Sequence, residues 1–238
     1  MNTLRVSETF LSIQGEGASM GRPAIFLRLQ GCNLNCHGFS GGCDTLSVWK
    51  QGKEMTFEEI YDYWNESGWI TAYSPVRRII ITGGEPLLQG NSVVDFIQFL
   101  NDKGDWKFEI ETNGTVWNDL LELYDVQINI SPKLISSGVP LEKRYDVDVL
   151  KEFAYLKHCA QNPQWKFVIQ EQTDVVEVQE KFEKDLGISR SNIWFMPEGI
   201  GSPSLNRVAE WLAPLCAKYG YNYSDRIQIR IWGNKQGV

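Results

Sequence analysis

Six short apolar runs alternate along this chain with stretches of helical periodicity, and five of them end in a polar motif rich in Gly, Asn or Pro. Ala24–Leu29 runs into Cys32-Asn-Leu-Asn-Cys36, and Arg78–Thr82 into Thr82-Gly-Gly-Glu-Pro86. Trp106–Glu111 closes on Glu111-Thr-Asn-Gly-Thr115, Val126–Ile130 on Ser131-Pro-Lys133, and Ile193–Met196 on Met196-Pro-Glu-Gly199. The remaining run is Trp165–Gln170. Short runs with β-branched residues and turn signals at their ends read as strands. Strand–helix alternation implies a mostly parallel sheet, and right-handed crossovers curl such a sheet toward a full or partial barrel. The working rim is then the C-terminal edge of the strands, where all five motifs fall.

Helices are predicted between the strands. Thr56-Phe-Glu-Glu59 is a capping box, with Phe57, Ile60, Tyr61 and Trp64 at helical spacing behind it. A second helix is predicted from about Asn91 to Lys103, burying Val93, Val94, Phe96, Ile97 and Leu100. Further helical stretches are expected around Trp117–Leu123, Val147–Cys159, Asp174–Leu186 and Leu205–Tyr219. The segment from Ser131 to Asp146 reads as an ordered long loop. With no linker or repeat in 238 residues, the chain is expected to form one domain over 1–238, with a polar loop over 30–45.

Charge and composition narrow the function. A formal charge of −7 disfavours a life on nucleic acid, whose phosphates reward clustered Lys and Arg. No apolar run approaches the ~18 residues that span a membrane. The N-terminus has neither a secretory h-region nor the character of a transit peptide, so a cytoplasmic location is expected. Small-molecule chemistry is favoured.

Three of the five cysteines, Cys32, Cys36 and Cys43, fall within twelve residues. Thiolates suit iron–sulfur clusters and zinc, and a cluster with three protein ligands leaves one iron open to an external molecule. Closed structural zinc takes four N/S ligands, and His37, adjoining Cys36, is the available fourth. Buried inert thiols are the remaining reading. His158, Cys159 and Cys216 fall in helical stretches, where a packed or surface position is expected.

Cys32-Asn-Leu-Asn-Cys36 and the downstream Gly83-Gly-Glu-Pro86 resemble the radical S-adenosylmethionine (SAM) superfamily, whose usual signature is C-x3-C-x2-C after the first barrel strand. Here six residues, His37 to Gly42, separate the second and third cysteines, and Gly42 stands where the superfamily has an aromatic beside the adenine. Phe39 is the nearby substitute, and the insertion predicts a loop bulging beside the adenine. The resemblance narrows, over nearly the whole chain, to the 7-carboxy-7-deazaguanine synthases. It rests on Ile13-Gln-Gly-Glu-Gly17, Arg22-Pro-Ala-Ile-Phe-Leu-Arg-Leu29, Cys43-Asp-Thr45, Ile81-Thr-Gly-Gly-Glu-Pro-Leu-Leu88, Glu111-Thr-Asn-Gly-Thr115, Ser131-Pro-Lys133 and a closing Trp232-Gly.

The resemblance implies an α/β fold, a partial TIM-like barrel of mostly parallel strands with a radical SAM core. It implies an enzyme converting 6-carboxy-5,6,7,8-tetrahydropterin to 7-carboxy-7-deazaguanine with loss of ammonia, using a [4Fe–4S] cluster, SAM and magnesium. Cys32, Cys36 and Cys43 would hold the cluster and Thr45 the magnesium ion. SAM would meet Gly42, Asp44, Gly84, Ser131, Pro132, Lys133, Met196, Pro197, Glu198 and Gly199. Substrate would meet Ile13, Gln14, Gly15, Arg28, Thr82 and Val238. Arg28 suits a carboxylate, because a guanidinium pairs with one bidentately. Glu16, Glu85, Glu111 and Asn113 share the rim and are expected to order the site. A flavodoxin or ferredoxin as electron donor and a homodimer are also implied. The same cluster and Gly-Gly-Glu-Pro would serve an activase that makes a glycyl radical on a partner protein. A non-catalytic zinc-binding module is the third alternative.

Overall fold

The computed structural model describes residues 2–39, 42–43, 45–71, 76–156 and 163–238. Nine strands form one sheet: β1 (Thr3–Ile13), β2 (Pro23–Leu29), β3 (Lys53–Thr56), β4 (Arg78–Gly83), β5 (Lys107–Thr112), β6 (Val126–Ile130), β7 (Gln164–Ile169), β8 (Ile193–Pro197) and β9 (Asn222–Tyr223). Their order is β3-β1-β2-β4-β5-β6-β7-β8-β9. From β2 to β9 every pairing is parallel, while β1 runs antiparallel to both β2 and β3. The sheet is an open α/β layer with two edges, in keeping with a partial barrel.

The six predicted strands are present to within a residue or so at each end. β1 is an addition with a physical cause. Leu4 and Val6 face the helices, and a register shift between Val6 and Glu8 inserts Ser7 as an extra residue opposite β2. Such a bulge reverses which face the later residues occupy. Phe10 therefore points to the opposite side from Leu4, and the apolar alternation of the sequence is broken.

Most of the helices cover one face of the sheet, while the last of them lies beside the other face. α1 (Leu46–Trp49) follows the cysteine loop, and α2 (Phe57–Glu66) starts at the predicted capping box, with Thr56 and Glu59 bonding reciprocally at 3.1 and 2.7 Å. α3 (Gly90–Asn101) buries the five predicted apolar side chains. α4 (Leu141–Arg144) and α5 (Val147–Ala154) follow β6. α6 (Gln172–Glu177) continues as a wider π-helix over Val178–Asp185, and α7 (Ser202–Tyr219) and α8 (Ile227–Trp232) complete the set.

The stretch predicted as a helix at Trp117–Leu123 is instead a 3-10 turn, Asp119–Leu123. Asn118 caps it through Leu120 N at 3.0 Å, and the strand that follows leaves no room for further turns. His158 and Cys159 lie outside the described residues, so the predicted helix is seen only to Ala154. No helix among the described residues is long and apolar enough to cross a membrane.

The main core lies between sheet and helices. Ile25, Leu27, Ile79, Ile81, Phe108, Ile110, Ile128, Phe167 and Phe195 point into it from the strands, against Phe57, Trp64, Phe96, Phe153, Phe182 and Leu212 from the helices. Each such side chain contributes roughly 1.5–3 kcal/mol on burial. Cys216 is buried in this core, where burial pushes its thiol up to about 11. With side chains alternating along every strand, the opposite face of the sheet is free to carry other groups.

Candidate functional site: a cavity on the concave face

Those other groups are polar. Along the inward positions stand Arg28 on β2, Thr82 on β4, Glu109 and Glu111 on β5, Asn129 on β6 and Lys166 on β7. Arg28, Thr82, Glu111 and Lys166 line a cavity of about 300 Å³ that runs from the cysteine loop to the chain terminus, a size suited to small organic ligands.

At one end are the thiols. Cys32, Cys36 and Cys43 all line the cavity, together with Phe39, Gly42 and Thr45. Leu34, Cys36 and Val139 form a small apolar cluster around them, joined by Phe39. Burial pushes the Cys32 thiol up, against the pull of the Leu34 N–H and Lys133. The Thr45 hydroxyl lies 3.6 Å from the Cys43 sulfur. It makes no capping bond to α1, so it faces the thiol end instead.

Backbone contacts hold this loop. Glu85 N donates to Gly31 O at 2.9 Å, and a Cβ on Gly84 would come within 2.3 Å of Gly31 O and 2.5 Å of the Cys32 Cβ. Only glycine permits that approach. The Glu85 carboxylate then accepts from Asn113 N (2.7 Å), Thr112 Oγ1 (2.9 Å) and Leu87 N (3.0 Å), joining the ends of β4 and β5. Burial pushes it up to about 7 despite these donors. Asn33, Asn113 and Thr115 add a side-chain chain from the cysteine loop to the same turn. His37 N and Gly38 N both donate to Ser137 O, so the start of the insertion is fastened to the loop after β6.

Beyond the thiols, Arg28 and Thr82 are register neighbours on β2 and β4, and Glu8 sits opposite Arg28 on β1. Arg28 Nε donates to Glu8 at 2.7 Å. Phe10 and Phe26 stack with parallel rings 5.0 Å apart beside it, and the guanidinium carbon lies 6.0 Å from the Phe10 centroid.

The floor is a buried charge network. Lys166 is 1% exposed and contacts Glu16 at 3.2 Å and Glu111 at 2.7 Å. Arg226 and Gln228, from the start of α8, reach Glu16 at 3.0 and 2.8 Å. Asn129 donates to Glu111 (2.9 Å) and Glu109 (3.0 Å), Gln14 donates to Glu111 at 3.1 Å, and Arg78 pairs with Glu109. Burial favours the neutral form of Glu16, but Lys166 and Arg226 outweigh it and hold the carboxyl down at about 2. Glu111 is pushed up by burial in spite of Lys166, with Glu16 and Glu109 adding repulsion. Burial would depress Lys166, but its two carboxylates hold it up.

Of the residues named from the sequence, Ile13, Gln14, Gly15, Arg28, Gly42, Thr82, Gly84, Ser131, Lys133, Met196, Glu198, Gly199 and Val238 line this one cavity with the cysteines and Thr45. Pro132 and Pro197 do not line it, and Asp44 lies outside the described residues, as do Ser40 and Gly41 of the insertion. The sequence reading missed Phe10, Glu109, Lys166, Arg226 and Gln228. Glu109 and Glu111 were detectable, as two acids at i and i+2 within an otherwise apolar strand.

The donor set fits an iron–sulfur cluster. A cubane takes each thiolate on a different iron, so it needs three thiols along one wall rather than three meeting at a point. Among the described residues no three Cys, His, Asp or Glu side chains do meet at a point. The buried indole N–H of Trp49, which lines the same cavity, has no acceptor among the described residues and is a donor available to an anionic group there.

Residues 13–146 match the family described as a 4Fe-4S single cluster domain. A protein of Rhodopirellula baltica named 7-carboxy-7-deazaguanine synthase is 34% identical over 250 aligned positions, covering 100% of this chain and 90% of its own. A protein of the same name from Hyperthermus butylicus is 34% identical, covering 97% and 94%. The crystal structure of QueE from Escherichia coli superposes with a TM-score of 0.67 at 21% identity, covering 94% of each chain, which shows a shared fold. Full-length identity to these synthases places the chain in the 7-carboxy-7-deazaguanine synthase family.

Proposed function

We propose that this chain converts 6-carboxy-5,6,7,8-tetrahydropterin to 7-carboxy-7-deazaguanine with release of ammonia. The observation that carries the reading is one cavity with three thiols at one end and a guanidinium, a hydroxyl and a carboxamide further along the same face. Cys32, Cys36 and Cys43 would hold a [4Fe–4S] cluster. Ser131, Lys133, Gly84 and the Met196–Gly199 segment flank the space beside it, where SAM would lie. Together the two groups supply hydrogen-atom abstraction from substrate carbon, chemistry that demands a dry and oriented site.

The chain's own residues supply the orientation. Arg28 keeps its two terminal NH2 groups beyond its Nε–H bond to Glu8, enough for a substrate carboxylate. Phe10 and Phe26 give a flat apolar surface beside it. The floor carries acceptors for ring N–H groups: Glu16, Glu111 and the buried carboxamide oxygen of Gln228, which has no partner among the described residues. The Thr45 hydroxyl is the hard donor for magnesium, whose shell would be completed by waters and substrate oxygens. The unbroken run of pairing from β3 to β9 supports reading residues 1–238 as a single domain. A homodimer, a small redox protein as electron donor and a reducing cytoplasmic setting complete the proposal.

Protein reconstituted anaerobically with iron and sulfide, supplied with SAM, magnesium and dithionite, should form 7-carboxy-7-deazaguanine from the carboxytetrahydropterin. Mass spectrometry finding no such product overturns the reading. Metal analysis should give about four irons and four sulfides per chain, and one zinc without sulfide would favour the zinc module instead.

A further inference from the structure

With SAM and substrate in the main cavity, an electron must reach the thiol end from another side. A second cavity, of about 500 Å³, lies against the same loop. Cys32, Leu34 and Trp49 line both cavities and so form the partition between them. The second cavity also carries His37, Lys50 and Lys143, with Val139 and Pro140 beside them. Both lysines are exposed, and neither has an ion-pair partner among the described residues. No acidic side chain lines the groove among the described residues; Glu142, next to Lys143 in the chain, is not part of its wall. In a chain of formal charge −7 this is a local reversal of sign.

We propose that this groove is the docking surface for a small acidic protein that carries one electron to the cysteine loop. The inference rests on reading Cys32, Cys36 and Cys43 as cluster ligands. Electron transfer weakens steeply with distance, and here the partition between the groove and the main cavity includes Cys32 itself, with Leu34 and Trp49. The donor can use this face while the reaction cavity stays closed to water. Two unpaired ammonium groups would steer an acidic partner and fix its register, as complementary charges do at transient interfaces. One electron leaves the reduced carrier and enters the cluster, and no bond or proton is exchanged.

The test uses the full chain with its cluster reconstituted and a flavodoxin as the probe. In the Lys50→Glu, Lys143→Glu double variant, flavodoxin affinity by calorimetry and the rate of cluster reduction by stopped flow should each fall on the order of tenfold. In the wild type both should fall with added salt. SAM cleavage driven by dithionite, which needs no docking, should stay within about twofold of wild type, since surface changes leave the fold intact. Unchanged affinity and reduction rate overturn the proposal. Should the double variant not fold, the single Lys143→Gln variant answers the same question through a smaller loss of affinity. Wild-type protein inactive with dithionite would overturn the cluster reading itself, while the affinity comparison would still decide the groove.

Discussion

The two faces of the sheet are made by the same strands and obey opposite rules. On the convex face Ile79, Ile81, Phe108, Ile110 and Phe167 meet apolar side chains of the helices. On the concave face the intervening positions carry Arg28, Thr82, Glu109, Glu111 and Lys166, all at least half-buried and bonded to one another or to neighbouring side chains, apart from Thr82. Strand alternation thus separates the work of folding from the work of holding ligands. A one-residue shift would exchange the two, which is why the bulge in β1 and the parallel register of β2 and β4 matter to the site as well as to the sheet.

Substitutions on each face should separate these roles. The largest effect is expected from Cys36→Ala on the concave rim. It should abolish cluster iron and cut SAM cleavage at least about a thousandfold, equivalent to about 4 kcal/mol, while circular dichroism stays native. Retained activity would break the division at its most important point. Lys166→Met should rank next, since it leaves Glu16 and Glu111 buried without their cation. A loss of about 3–5 kcal/mol in urea unfolding is expected, with product formation lost as the floor rearranges. Phe96→Ala, in the convex core against Phe57 and Trp64, should cost a similar 3–5 kcal/mol yet leave the KM for substrate unchanged at temperatures where the variant is folded. Equal effects on KM from both would show that the faces are not independent.

A pH titration sharpens the same contrast. The Glu16 carboxyl is ordinary when unfolded, near 4.5, and sits at about 2 when folded. Its contribution, about 3 kcal/mol at 1.36 kcal/mol per unit, is therefore fully present above pH 4.5 and lost as the pH falls toward 2. The difference in unfolding free energy between wild type and Glu16→Gln should shrink across that window, and a flat difference would refute the pairing with Lys166 and Arg226. The smallest effect is expected from Leu123→Ser, at a side chain 71% exposed, which should stay within about 0.5 kcal/mol of wild type and leave turnover unaltered.

The sequence displayed the convex face almost completely. Runs such as Ile79–Ile81 and the spacing of Val93, Phe96, Ile97 and Leu100 state their partners through periodicity alone, and the motifs ending five strands located the rim. The concave floor was harder to read because its members are scattered singly through apolar strands. Lys166 in Trp165-Lys-Phe-Val-Ile169 looks like an interruption until Glu111 on β5 and Glu16 after β1 are brought to it. Arg226 and Gln228 carry no local signal, since their partner Glu16 is settled by the path of the whole chain. β1 was obscured by its bulge, and Phe10 with it.

That long path has a consequence in time. Arg226 lies 210 residues after Glu16, and Gln228 lies 212 after it. At about 5–20 residues per second on a ribosome, roughly 10–40 s separate their emergence. The cysteine loop is already made during that interval, but the wall that α8 and the chain terminus give the cavity is not. The Glu16 carboxylate thus stays solvated until Arg226 and Gln228 arrive to pair with it and enclose it.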